Sequence, residues 1–260
     1  MDALLQQRYW EQTLQTPRYA DETRLLRFGS KAYSQSDEDG IIAEIFRRIG
    51  VENRTFIEIG VGSGLENNTL ALLLSGWRGL WVEANQAEAA AAQERLAPWV
   101  EAKQLRIENQ FVTRDNIEPL LASSGPGTTP DLLSIDVDGN DYWIWEAIQS
   151  TKPRVVVIEY NATWFPPLSF TVRYQENFRW DATNYHGASL KALELLGRRK
   201  GYCLVGCNFA GVNAFFVRED LCNRRFRAPY TAENHFEPPR YWMVRSTGHP
   251  PRVGPLEIIS

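Results

Sequence analysis

Four groups of residues have types and spacings that could do chemistry. The first is Glu58-x-Gly60-x-Gly62-x-Gly64, directly after the apolar run that starts at Thr55. Glycines let a backbone turn sharply and approach a ligand closely, and a helix N-terminus following at Asn67-Asn68-Thr69 would turn unpaired N–H groups toward an anionic group. The second is Glu83, which closes the run Gly79-Leu-Trp-Val-Glu83-Ala84-Asn85. A carboxylate ending the next strand about twenty residues beyond such a loop can accept hydrogen bonds from ribose hydroxyls. Loop and acid together describe a pocket for a nucleoside cofactor. A dinucleotide fingerprint needs a third glycine where this chain has Leu65, which argues against an NAD-dependent oxidoreductase.

The third group is Ser134-Ile-Asp136-Val-Asp138-Gly139-Asn-Asp141, taken with Glu159-Tyr-Asn161. If the two segments end adjacent parallel strands on one edge, their oxygens converge and suit a hard Mg²⁺-type ion, with Asp136 or Asp138 from the first and Glu159 and Asn161 from the second, Asp136, Glu159 and Asn161 being the preferred set. A helix beginning near Tyr142 gives Asp138 and Asp141 a second reading as caps, and spacing does not choose between the two. The fourth group is His186 in Asn184-Tyr-His-Gly-Ala-Ser189. A hydroxyl that attacks must lose its proton, and an imidazole near its usual pKa can take it, with Asp136 and Asp138 as acidic companions. A helix N-terminal hydrogen bond is the alternative for that histidine. His235 and His249 carry no expected role.

Elements must position these groups. Residues 3–16 read as a polar helix with Leu4, Leu5, Tyr9, Trp10 and Leu14 on one stripe, suited to the core or to a second copy in a homo-oligomer. Ser36 and Asp39 resemble a capping box ahead of Ile41, Ile42, Ile45, Phe46 and Ile49, and Gly50 ends that helix. Apolar runs at 55–60, 79–84, 131–137 and 154–160, with a weaker one at 101–107, are separated by helical stretches near 67–76, 86–96, 115–123 and 141–150. Alternation of this kind predicts βαβ units and a parallel sheet covered on both faces. Residues 161–185 are long, aromatic and broken by Pro166 and Pro167, so they read as a functional insertion whose Trp164, Phe165, Phe170, Tyr174, Phe178 and Trp180 either cover the sheet edge or form an acceptor pocket. A helix at 187–199 follows, and then two β-runs so close together that only an antiparallel hairpin can join them. The division expected is a helical extension (1–32), a domain (33–221) and an irregular tail packed on it (222–260).

Composition narrows the classes. A 260-residue chain that is 43% hydrophobic can bury one sizeable core. A net charge of -4 gives no reason to expect a nucleic-acid partner, and Asn223-Arg-Arg-Phe-Arg227 is a short basic run that reads as a solvated face or a partner contact. Cys203, Cys207 and Cys222 lack metal-site spacing and indicate no disulfide framework, which fits a reduced cytoplasmic setting. No apolar run approaches the ~20 residues that span a bilayer, so no membrane association is expected.

A leading helix, five strand–helix units and a closing hairpin resemble the seven-stranded class I S-adenosylmethionine-dependent methyltransferases over residues 33–218. More narrowly, Tyr33-Ser-Gln-Ser-Asp-Glu-Asp-Gly40, the glycine loop, Ser134 to Gly139 and the hairpin from Gly206 to Val217 resemble the FkbM-related methyltransferases. Those proteins usually end the fourth strand Asp-Val-Glu-Gly, where this chain reads Asp136-Val-Asp138-Gly139. The resemblance implies an α/β, Rossmann-like fold with a mostly parallel sheet and a terminal antiparallel hairpin. It implies S-adenosylmethionine held by Gln35, Glu58, Gly60, Gly62, Gly64, Asn68, Glu83, Ala84, Asn109 and Asp136. The activity implied is O-methylation of a sugar or natural-product hydroxyl on a small-molecule or glycan acceptor. N-methylation of a small metabolite and a non-catalytic cofactor-binding module are the alternatives. Relatives in the wider fold hold a divalent ion between strands four and five, which adds to the case for Mg²⁺ here.

Overall fold

The structure is a computed structural model that describes residues 3–123, 129–243 and 256–259. Five parallel strands carry the fold: β1 (Thr55–Ile59), β2 (Arg78–Glu83), β3 (Leu105–Asn109), β4 (Leu132–Ile135) and β5 (Val155–Glu159). Between β5 and the hairpin lies a short strand, β6 (Phe170–Val172). The hairpin itself is β7 (Tyr202–Cys207) and β8 (Asn213–Arg218), and β9 (Leu256–Ile258) pairs antiparallel with β6. The main sheet runs β3-β2-β1-β4-β5-β8-β7, with β8 antiparallel to both neighbours. The chain winds outward from β1 to β3, then returns to place β4 on the other side of β1. A crevice opens at that reversal, at the carboxyl ends of the strands, where open α/β sheets bind ligands.

Both faces of the sheet are covered, so its central strands carry no polar face. Every residue of β5 is buried, Val156 and Ile158 in one core layer and Val155 and Val157 in the other. Helix Glu38–Ile49 packs Ile41, Ile42, Ile45 and Phe46 into the second layer, and Gly50 ends it at φ +74 with its N–H on the Phe46 carbonyl. Helix Ala3–Leu14 sets Trp10 edge-on against Phe209, 4.4 Å between ring centroids. The side chains of Leu4 and Leu5 lie outside the described residues.

Several expected details differ. The capping box is not built from Ser36 and Asp39: one Asp39 carboxylate oxygen accepts the N–H groups of Ala32, Tyr33 and Ser34, and Glu38 accepts that of Ser36. The third strand sits at Leu105–Asn109 instead of 101–107, because Pro98 opens a further helical turn, Ala97–Glu101, and Lys103 reverses the chain at φ 58. The helix after the glycine loop is only Leu70–Leu74, and the one expected at 187–199 begins at Leu190 behind the Ser189 cap. Strand β6 lies inside the insertion, where Pro166, Pro167 and the uneven aromatic spacing hide a period of two. Among the described residues, no helix is long and apolar enough to cross a membrane.

Candidate active site

The crevice holds a cavity of about 690 Å³. Its first end is the glycine loop. Gly60 has φ +84, and a Cβ there would lie 1.6 Å from the Asp136 carbonyl oxygen, so only glycine lets β1 and β4 end this close together. Gly62, at φ +54, donates its N–H to Glu83 Oε2 at 2.7 Å. The other Glu83 oxygen accepts the Asn85 N–H at 2.7 Å, which fixes the carboxylate where β2 ends. Gln35, Gly60, Gly62, Glu83, Ala84 and Asp136 all line the cavity.

Four further residues assigned to the pocket in sequence, Glu58, Gly64, Asn68 and Asn109, lie outside its walls and brace it. Glu58 is 2% exposed and accepts from the Asn68 and Thr69 N–H groups and the Thr69 hydroxyl. Burial pushes its carboxyl up to about 7, against the pull of those donors. The Asn68 and Thr69 N–H groups, expected to face an anionic ligand, are therefore spent inside the protein. Gly64 lies against Trp81, whose indole N–H bonds Thr69 Oγ1 at 2.7 Å. The Asn68 amide reaches Ser134 Oγ, and the Asn109 amide holds the carbonyls of Glu83 and Ala84.

The second end is acidic. Asp136 follows β4, Asp138 turns at φ +56, and Glu159 ends β5; their ligand oxygens lie within 4.8 Å of one another. Asp141 braces this turn by accepting the N–H groups of Val137 and Gly139 at 2.8 and 2.9 Å. Burial, and then the charge of Glu159, push the Asp136 carboxyl well above the usual carboxylate range. Three carboxylates held this close repel unless a proton or cation is shared among them, and oxygen donors of this kind fit a hard divalent ion.

Two assignments need correction. Asn161 is not a member of the acidic trio. Its side-chain N–H groups donate to the carbonyls of Asn184 and His186, and its oxygen accepts from the Thr163 N–H and hydroxyl, so the amide ties the insertion to β5. Asp138 takes the third place. His186 is 2% exposed and absent from the cavity wall; its Nδ1 lies 3.5 Å from Glu159 Oε2 and its ring 5.9 Å from Trp180. It stands behind Glu159 instead of facing the space where an acceptor would sit.

Of the insertion's aromatics, Phe178 and Trp180 reach the wall. Phe178 lies so close to Gly139 that a Cβ there would sit 2.2 Å from its ring. Trp164, Phe165, Phe170 and Tyr174 do not line the cavity, and Phe165 is 60% exposed. Sequence reasoning missed Tyr241, which the tail brings to the wall. The tail is fastened by buried Glu237, which bonds Tyr19, Arg18 and Arg240, while Arg240 lies 4.0 Å over the Phe209 ring. No short-range pattern marks Tyr241; its neighbours Glu237 and Arg240, an acid and a base three residues apart, were the available signal. His235 is buried with Nε2 2.9 Å from the Arg227 carbonyl, and burial pushes its pKa down to about 3. His249 lies outside the described residues.

No family model matches the sequence, and no curated protein does. Solved structures do. A Staphylococcus aureus protein provisionally described as a caffeoyl-CoA O-methyltransferase aligns with TM-score 0.52 at 16% identity, over 82% of this chain and 99% of that one. A Clostridium acetobutylicum S-adenosylmethionine-dependent methyltransferase aligns at 0.45 with 10% identity (82% and 98% covered). CalS10 from Micromonospora echinaspora, an amino pentose methyltransferase, aligns at 0.44 with 14% identity (73% and 92% covered). The seven strands in this order, mostly parallel with an antiparallel end, are the Rossmann-like fold of class I methyltransferases.

Proposed function

We propose that this chain is an S-adenosylmethionine-dependent methyltransferase, related to the FkbM-like group, that methylates a hydroxyl oxygen of a sugar or natural product. The observation that carries the reading is the single cavity with the Gly60–Gly62 loop and Glu83 at one end and Asp136, Asp138 and Glu159 at the other. Donor and acceptor sites in one cavity are what group transfer requires. Leu65, at the third-glycine position of a dinucleotide loop, is 48% exposed and takes no part in the cavity, which leaves the NAD reading without support.

Bound at the loop end, S-adenosylmethionine supplies an activated methyl group for in-line transfer to oxygen. The chain's residues do the rest. The Glu83 carboxylate, already aligned by two backbone N–H groups, keeps lone pairs for ribose hydroxyls. The acidic end favours a cationic sulfonium over its neutral product. Phe178 and Trp180 shield the acceptor from water, and Glu159 takes the proton its hydroxyl loses. Positioning both reactants in attack geometry is worth ~7–11 kcal/mol, the larger share of such catalysis. Asp136, Asp138 and Glu159 would hold Mg²⁺, which would lower the acceptor hydroxyl's pKa. His186 orients Glu159 in this scheme and does not itself take the proton.

The test is transfer of a labelled methyl group from S-adenosylmethionine to a panel of sugar and natural-product alcohols. Labelled ether product supports the reading; label on nitrogen moves it to N-methylation, and donor binding without transfer to any extract component makes the chain a binding module. Excess chelator should abolish turnover and Mg²⁺ restore it, whereas full activity in chelator removes the metal from the scheme.

A further inference from the structure

We propose that Cys203 and Cys222 form a reversible intramolecular disulfide, independent of the methyl-transfer reading. Cys203 lies on β7, the sheet's edge strand, directly across from Val217 on β8. The chain then leaves β8 through the short turn of helix Glu219–Cys222. Its last residue places Sγ 3.6 Å from the carbonyl oxygens of both Val217 and Arg218. Cys203, Val217 and Cys222 all pack against the same core layer, so Val217 brings the two cysteines to one place on the sheet face.

Cys207 is set apart from this pair although it belongs to the same strand. A register shift between Leu204 and Gly206 turns the strand over, so Cys203 packs against one core layer and Cys207 is buried in the other. The two members of the pair differ in reach. Cys222 is 2% exposed, whereas Cys203 is half-buried and open to a small oxidant. The neighbouring Cys222 thiol also pulls the Cys203 thiol below its usual range, which favours the nucleophilic thiolate.

With glutathione disulfide as oxidant the electrons balance in two exchanges. The Cys203 thiolate attacks one sulfur of the glutathione disulfide, forming a mixed disulfide and releasing one glutathione thiolate. The Cys222 sulfur then attacks the Cys203 sulfur, and its thiol proton passes to the second glutathione thiolate as that group leaves. The bond fastens the unpaired edge of β7 to the segment that turns through Asn223 and Arg224, at φ 32 and 60, into the tail bearing Tyr241.

The experiment is incubation of the full chain with glutathione disulfide, denaturing alkylation and peptide mapping by mass spectrometry. The expected product has Cys203 cross-linked to Cys222 and Cys207 alkylated, and dithiothreitol reverses it. Cys222→Ser should stop at a glutathione adduct on Cys203, and Cys203→Ser should leave Cys222 reduced. A wild-type chain that stops at the Cys203 adduct, stays fully reduced or joins Cys207 to either partner overturns the proposal.

Discussion

The two ends of the cavity are built by different means. The loop end is made by consecutive βαβ units, and its critical contacts are backbone ones: Gly60 against Asp136, and the Gly62 N–H on Glu83. The acidic end joins three distant pieces, namely the ends of β4 and β5, the insertion carrying Phe178 and Trp180, and the tail carrying Tyr241. The first end tolerates little change, because backbone clearance sets it. The second depends on side chains, so in the proposed scheme it is where acceptor preference would change without disturbing the fold.

The sharpest break between the two ends should come from Glu159. Glu159→Gln is expected to lower turnover by ~10²–10⁴-fold with affinity for S-adenosylhomocysteine nearly unchanged. His186→Ala should cost less, about 10–100-fold, and the double variant should be no slower than Glu159→Gln alone, because the histidine acts through that carboxylate. Additive losses in single-turnover assays would give His186 an acceptor contact of its own.

Gly60→Ala attacks the other end. A Cβ that must displace the Asp136 carbonyl, on a backbone at φ +84, should cost about 3 kcal/mol of stability, read as a lower midpoint in urea unfolding. An unchanged midpoint would show that the β1–β4 approach is loose.

The ends should also respond differently to pH. Buried His235 is held neutral with a pKa pushed down to about 3 from 6.5, so the unfolded chain binds the extra proton and the tail loses stability as pH falls below about 6.5 toward 3. Buried Glu58 has the opposite sign: its carboxyl is raised from 4.5 to about 7, so its contribution weakens as pH rises through that window. Between pH 4.5 and 6.5 the two contributions oppose each other, so melting curves should leave stability falling with pH in His235→Asn and rising with pH in Glu58→Gln. Two variants whose profiles tilt the same way would refute this division.

The loop end was legible in sequence because it is local. Glycines, a strand-ending carboxylate and the alternation of strands and helices lie within short windows, and each has one structural meaning there. Even so, Glu58, Gly64, Asn68 and Asn109 brace the pocket from behind, since spacing does not report which way a buried side chain faces. The acidic end was half legible. Asp136 and Glu159 follow from parallel strands ending on one edge, but Asn161, one pleat beyond Glu159, turns to tie down the insertion, and Asp138 takes its place through a left-handed turn. His186 was located near the chemistry but not oriented. The placing of Tyr241 depends on tail packing, and the parting of Cys203 from Cys207 on a β-bulge, which no periodicity announces.

The central claim is that the Gly60–Gly62 loop and Glu83 hold the methyl donor, and calorimetric titration with S-adenosylhomocysteine tests it most directly. One molecule should bind per wild-type chain, none to Gly60→Ala, and Glu83→Ala should bind about fivefold more weakly, the equivalent of ~1 kcal/mol of lost ribose hydrogen bonding. No heat with wild type, or an affinity that Glu83→Ala leaves unchanged, would contradict it.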